Sequence, residues 1–363
     1  GLALFLLIGG GCARTDAPAM EADNSDTAME ETGPIKLGWL GPLTGDVSSV
    51  GEADKDGVAL AVKEINEAGG INGRMLEVMY EDGACESKMA STAGNKLINV
   101  DGVVAIVGGL CTGETMAVAP TAEEKHVVIV SPGSTAPTVT EAGDYIFRVV
   151  ASDDYQGAYA AEQVYEMGKR KAAILHGVTD FHQGLADAFS KRFKQLGGEV
   201  VITETFLQES RDLKSQLTKI KNTDADMLYF ATYNEAGVVG VKQAEELELG
   251  MQIVGAEPFD DPTFEGTPGI EGVMYTMPAS PESEAFQEKY LTETGRENMP
   301  VYVTQSYDAM MLLGEVMKKV GTNPEDIKSK SDGDLSSYPE KLEQKESNVR
   351  KGTVLAILIT III

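Results

Sequence analysis

The chain has 363 residues, too long for one ordinary hydrophobic core and sufficient for two lobes of roughly 120–170 residues each. Hydrophobic residues make up 42% of it, with 39 glycines, which excludes a disordered chain and suits a folded α/β protein. The formal charge of −27 repels phosphate backbones and sets a nucleic-acid partner aside.

Residues 2–8 form an apolar run followed by Gly9, Gly10, Gly11 and Cys12. The run is too short to span a membrane and reads as the end of a signal peptide. A Cys directly after small residues resembles a lipoprotein processing box, with a departure at Gly9, where bacterial boxes usually carry Leu. That resemblance implies lipid attachment at Cys12; an ordinary signal peptide cut nearby is the alternative. Residues 13–33 are rich in Ala, Thr, Asp and Glu and nearly devoid of large apolar side chains. Such a segment buries no core and is expected to act as a flexible acidic tether.

The folded body is expected from Ile35. Residues 35–41 (IKLGWLG) are a short apolar run ending in Gly and read as a buried strand. A loop to Gly51 and a helix over residues 52–68 follow. In that helix Val58, Val62 and Ile65 share one face, and Gly69 and Gly70 stop it. Residues 75–80 are the next strand. The same plan returns about 136 residues later, as a strand over 171–177, a helix over 183–196, Gly197 and Gly198, and a strand over 199–206. Further strands are expected over 102–107 and 127–130 in the first half, and over 226–231 and 252–254 in the second. Each ends in a Gly-rich or polar loop. Alternating strands and helices imply parallel sheets with right-handed crossovers, and ligands sit beyond the carboxyl ends of such strands. Two facing lobes would therefore share one cleft lined by loops from both.

A strand over 273–276 and helices over 284–294 and 304–320 then bring the chain back toward the first lobe. Met310, Met311, Leu313, Val316, Met317 and Val320 read as core. The expected organisation is lobe one over 35–150 plus about 277–335, and lobe two over 151–276, with the atypical stretch 336–363 a possible addition. The closing run VLAILITIII is apolar but too short to span.

Cys85 and Cys111 each follow a strand of the same lobe, near the same sheet end. In an exported protein they are expected to form a disulfide. His126, His176 and His182 show no metal spacing, and the chain has no GxxxxGK[ST], no GxSxG and no GxGxxG after its first strand. No cofactor, no metal and no catalytic residue is expected.

Several loop sequences together resemble the branched-chain amino-acid-binding (Leu/Ile/Val-type) proteins of ABC importers. They are PLTGDVSSVGEADKDGVALAVKEINEAGGINGRMLEVMYEDGACE, IVGGLCTGET, VVIVSPGSTAPTVT, FRVVASDDYQG, ATYNEAG and GAEPFDD, in order over about residues 35–338. The resemblance implies a two-lobe type I periplasmic-binding-protein fold. Thr112 is expected just before a helix, as a cap whose helix end attracts an anion. The resemblance puts it on the ligand carboxylate, and a cap without a ligand is the other reading. By the same match Gly133 and Thr135 meet the ligand's charged head, with Ser134 in the same loop; a plain turn before Pro137 is the alternative. Glu257 matches an acid that pairs the ligand ammonium, and Tyr233 matches an aromatic wall. Phe181 and Tyr302 are further pocket walls by the alignment. At Val50 the sequence departs from the family, where amino-acid binders often carry an aromatic.

The resemblance implies a monomeric extracytoplasmic receptor on a lipid anchor, partnered by importer permease subunits and a small amino-acid-like ligand. An amide- or amino-acid-sensing domain of a regulatory system uses the same fold and stays open here.

Overall fold

The computed structural model describes residue 1 and residues 33–278, 284–336 and 358–361. Of 332–336 and 358–361 it describes the backbone alone. Cys12, nearly all of the tether and most of the closing stretch lie outside the described residues.

The first sheet orders its strands β2-β1-β3-β4-β5. These are β1 (Ile35–Gly41), β2 (Leu76–Asp82), β3 (Ala105–Gly108), β4 (Val128–Ser131) and β5 (Ile146–Arg148), all parallel. Helices α1 (Ser48–Glu67), α2 (Ser87–Lys96) and α3 (Thr112–Lys125) connect them. β3 and β4 are buried at every residue, as expected of parallel strands covered on both faces.

The second half opens with α4 (Asp153–Glu166). It continues with β6 (Lys171–Gly177), α5 (Asp180–Gln195), β7 (Glu199–Phe206), α6 (Lys214–Lys221), β8 (Met227–Ala231), α7 (Asn234–Glu246), β9 (Gln252–Gly255) and β10 (Met274–Met277). Its sheet is ordered β11-β10-β9-β8-β6-β7. Only β11 (Leu358–Ile361) is antiparallel, pairing Met274 with Ile361 and Met277 with Leu358. The end of the apolar closing run thus supplies an edge strand to the second sheet.

After β10 the chain forms α8 (Glu284–Thr294), α9 (Val303–Val320) and α10 (Pro324–Ser336). Met310, Leu313, Val316 and Met317 of α9 pack with Val58 and Ile65 of α1 and with Leu37 and Val107 of the first sheet. Burying a side chain of this size is worth about 1.5–3 kcal/mol, so α9 is held to α1 and the first sheet by its apolar face. A polar link lies inside this core. Asp54 of α1 is fully buried, accepts from Trp39 Nε1 at 3.0 Å, and accepts from Ser306 Oγ of α9. Burial pushes its carboxyl from 3.8 up to about 7.

Two element boundaries differ from the sequence reading in ways that matter for the site. α1 begins at Ser48 rather than residue 52, and α5 begins at Asp180 rather than residue 183. Both helices therefore start closer to the loops after β1 and β6.

Candidate ligand-binding site

In the first sheet β1 lies between β2 and β3, and in the second β6 lies between β7 and β8. The strand order reverses at these points, and crevices open there beyond the strand ends. The segments after β1, β3, β6 and β8 supply Val47, Ser49 and Val50; Leu110, Cys111 and Thr112; Phe181; and Tyr233 and Asn234. All of these line one cavity of about 380 Å³. A cavity of several hundred Å³ is the usual size for a small-molecule site.

Of the residues singled out in the sequence, Thr112, Gly133, Phe181, Tyr233, Glu257 and Tyr302 line this cavity, and so does Val50. Thr112 stands one residue further in than expected. It is the first residue of α3, and the cap position belongs to Cys111. The Glu114 carboxylate accepts from the Cys111 N–H and from the Cys85 N–H, each at 3.0 Å. The Thr112 hydroxyl instead accepts from the Ala136 N–H at 3.3 Å, which ties α3 to the loop after β4. Cys85 and Cys111 form a disulfide with a Cα–Cα distance of 5.3 Å, so the wall at Cys111 is fastened covalently. Burial pushes the Glu114 carboxyl up to about 7.

Gly133 is required by packing. A Cβ there would stand 2.6 Å from Leu110 Cδ1 and 2.8 Å from the Leu110 carbonyl oxygen, closer than real contacts allow. Ser134 and Thr135 are fully buried and stand behind the lining rather than in it. The Ser134 hydroxyl donates to the Gly109 carbonyl at 3.0 Å and pairs with the Thr115 hydroxyl at 2.8 Å. The Thr135 carbonyl accepts from Asp153 N at 2.9 Å and from Arg148 Nη1 at 3.0 Å.

Glu257 opens a short 3-10 turn, Glu257–Asp260, after β9. It accepts from Gln156 Nε2 at 2.6 Å and from the Tyr302 hydroxyl at 2.7 Å, so its carboxyl is aimed from both sides. Gln156 Nε2 also donates to the Thr276 carbonyl at 3.0 Å. Burial raises the Glu257 pKa. Burial and then the charge of Glu257 raise that of the fully buried Asp153 well above its ordinary range. Tyr302 precedes α9 with φ at 75°, a left-handed conformation uncommon for a bulky residue. Such strain persists where surrounding contacts over-determine it, and the bond to Glu257 is one of these.

Phe181 stacks on Tyr233 with ring centroids 5.4 Å apart, and the His182 ring meets Tyr233 edge-on at 4.4 Å. Burial drives the His182 pKa down to about 3, so the imidazole is neutral and supports the aromatic wall. Gln156, Asp153 and Asn234 are site residues that the sequence reading does not name. Gln156 and Asp153 lie inside the matched run FRVVASDDYQG, and Asn234 inside ATYNEAG. The signal available was their place in those runs, since one amide or acid in a polar loop carries none. Asn234 lines the cavity, and its amide nitrogen is buried without a hydrogen-bond partner.

Fold and site together define a two-lobed α/β binding protein whose ligand cavity lies between the lobes. The family model described as periplasmic binding protein matches residues 34–333, and the chain belongs to that family. Among its relatives is the leucine-, isoleucine-, valine-, threonine- and alanine-binding protein of Pseudomonas aeruginosa. It is 29% identical over 301 residues, which cover 81% of this chain and 80% of that protein. An amino acid binding protein of the same organism is 31% identical over 80% of this chain and 79% of its own length. Among solved structures, the substrate-binding protein LivJ of Streptococcus pneumoniae in complex with isoleucine has a TM-score of 0.72 at 28% identity. It covers 82% of this chain and 87% of that one. A leucine-binding protein, LivK, from Thermotoga maritima has a TM-score of 0.74 at 26% identity, covering 81% and 86%. Among the described residues no helix is long and apolar enough to cross a membrane.

Proposed function

We propose that the chain is the extracytoplasmic receptor of an ABC importer, a binding protein rather than an enzyme, which captures one amino acid between its lobes and delivers it to the permease subunits. The observation that carries this reading is Glu257, a buried acid aimed by Gln156 and Tyr302 into a cavity that also holds the first turn of α3. In this reading the helix start at Thr112 and the close backbone at Gly133 receive the carboxylate. Glu257 receives the ammonium in a charge-assisted hydrogen bond. Phe181, Tyr233 and Tyr302 enclose the side chain, and Ser134 and Thr135 hold the head-group loop from behind. The binding proteins named among the relatives support an aliphatic amino acid as ligand.

The protein acts as a monomer, with residues 35–150 and about 277–335 as lobe one and 151–276 as lobe two. The packing of α9 on α1 supports that division. A lipid on Cys12, followed by the acidic tether, keeps the receptor at the outer face of the membrane. The test is a thermal-shift screen against L-amino acids and short amides. A ligand at one hundred times its dissociation constant stabilises the fold by about 2.7 kcal/mol. Shifts with aliphatic amino acids are expected; shifts with amides alone overturn the ligand assignment.

A further inference from the structure

One cation stands where the two lobes meet outside the cavity. Asp46 lies in the loop between β1 and α1 of the first lobe. Glu235 lies in the first turn of α7, and Arg211 in the loop between β7 and α6, both in the second lobe. Arg211 Nη2 is 3.3 Å from Asp46 Oδ1 and also pairs with Glu235. Its Nη1 donates to the carbonyls of Gln208 at 3.1 Å and Ser210 at 3.2 Å, so the guanidinium is steadied by its own loop. None of the three belongs to the cavity lining, yet each acid neighbours a residue that does, Val47 beside Asp46 and Asn234 beside Glu235. A second bond crosses at the same mouth, from Ser49 Oγ to Asp261 Oδ2 at 2.9 Å.

Without Arg211 the mouth would set one carboxylate of each lobe against the other in a chain of charge −27. Like charges at short range repel, and partial burial strengthens the repulsion. Asp46 is only 13% exposed in its side chain. Burial, followed by the charge of Glu235, pushes its carboxyl up to about 6.

We propose that Arg211 is a positioning residue for ligand retention. It bridges Asp46 and Glu235 across the mouth and turns a repulsive contact between the lobes into an attractive one, so that the lobes stay together around the ligand without Arg211 touching it. This rests on the receptor reading above. A residue acting on the closed arrangement alone changes how long a ligand stays more than how it arrives.

The test uses wild type, Arg211→Ala, Arg211→Glu, and Arg211→Ala combined with Glu235→Gln, with L-leucine and L-isoleucine as probes, all at pH 8.5, well above the raised Asp46 pKa. Arg211→Ala is expected to release the probe about fivefold to twentyfold faster, with an unchanged melting temperature. Removing one acid in the double variant is expected to recover part of that loss. Salt supplies a signature that a merely structural role would not produce. Between 0.05 and 0.5 M NaCl, screening shortens from a Debye length of roughly 14 to 4 Å. Wild-type affinity is expected to fall over this range, because an attraction is screened. Arg211→Ala affinity is expected to rise, because a repulsion is screened. Identical release rates and salt trends in wild type and Arg211→Ala overturn the proposal while leaving the receptor reading intact. If wild type binds neither probe, the ligand assignment fails, and small-angle scattering of the proteins alone decides on Arg211. A larger radius of gyration for Arg211→Glu than for wild type at low salt supports the bridge, and equal radii overturn it.

Discussion

Glu257 is held by two donors, so its replacement by Gln is a clean test of charge. The Gln amide can donate to the Tyr302 oxygen while its carbonyl accepts from Gln156, which keeps both partners of the native carboxylate. Only the negative charge is lost. A hydrogen bond to a charged group contributes about 1.5–3 kcal/mol, so Glu257→Gln is expected to bind an amino acid about tenfold to a hundredfold more weakly. Its melting temperature should stay near that of wild type. A neutral amide should lose much less, and titration calorimetry with both ligand types reads the difference. Asp54 is a second buried acid, one that lies outside the cavity lining and so tests burial apart from ligand binding. Its pKa is raised from 3.8 to about 7 by burial. Below pH 4 both folded and unfolded chains carry the proton, and nothing is lost. As pH rises from about 4 to 7 the unfolded chain releases the proton first, so stability falls across that window and levels off above it. Asp54→Asn can accept from Trp39 and donate to the Ser306 oxygen. It should therefore remove roughly 2–4 kcal/mol of this pH dependence, as read by denaturant melts at pH 5 and pH 8.

At the scale of elements, strands were legible because parallel strands covered on both faces read as apolar runs. The run at 171–177 matches β6 at both ends. Helices were less legible where glycine or polar residues break the apolar pattern. Gly51 reads as the end of a loop, yet it lies inside α1, where a Cβ would stand 1.8 Å from the Pro42 carbonyl oxygen. That glycine serves close packing rather than a turn, and only the fold reveals it. α6 buries just Leu217 and Ile220, and β5 has three residues; neither offers a period long enough to recognise. The pairing of Leu358–Ile361 with β10 depends on a partner far away in sequence and leaves no local mark. The disulfide belongs to this scale, because it joins the loop after β2 to the start of α3. Cys85 and Cys111 are separated by 26 residues, for which the chain-entropy estimate is about 3–4 kcal/mol. Replacing both with Ser is expected to lower the denaturant midpoint by the equivalent of that amount. It should also weaken ligand binding, since Cys111 lines the cavity. Unchanged binding in the folded double variant would show that the wall at Cys111 needs no covalent fastening.

At the scale of the whole molecule, the repeated plan of the two halves was readable from spacing alone, and the facing switch points follow from it. The cavity's polar members were readable only through matched loop sequences. A lone Glu or Thr in a chain with 57 acidic residues carries no signal of its own. Gln156 leaves no mark in the sequence because its role is to aim Glu257, a contact made across 101 positions of sequence. Because the proposed site takes groups from both lobes, the ligand's differential affinity should draw them together. Scattering with saturating ligand should then give a smaller radius of gyration than without it. The most direct measurement of the central claim is calorimetric titration of the purified wild-type protein with L-leucine, L-isoleucine, L-valine, L-threonine and L-alanine. An amino-acid receptor of this design gives saturable one-to-one binding to at least one of them. The absence of binding to all five, by a protein shown to be folded, would contradict it.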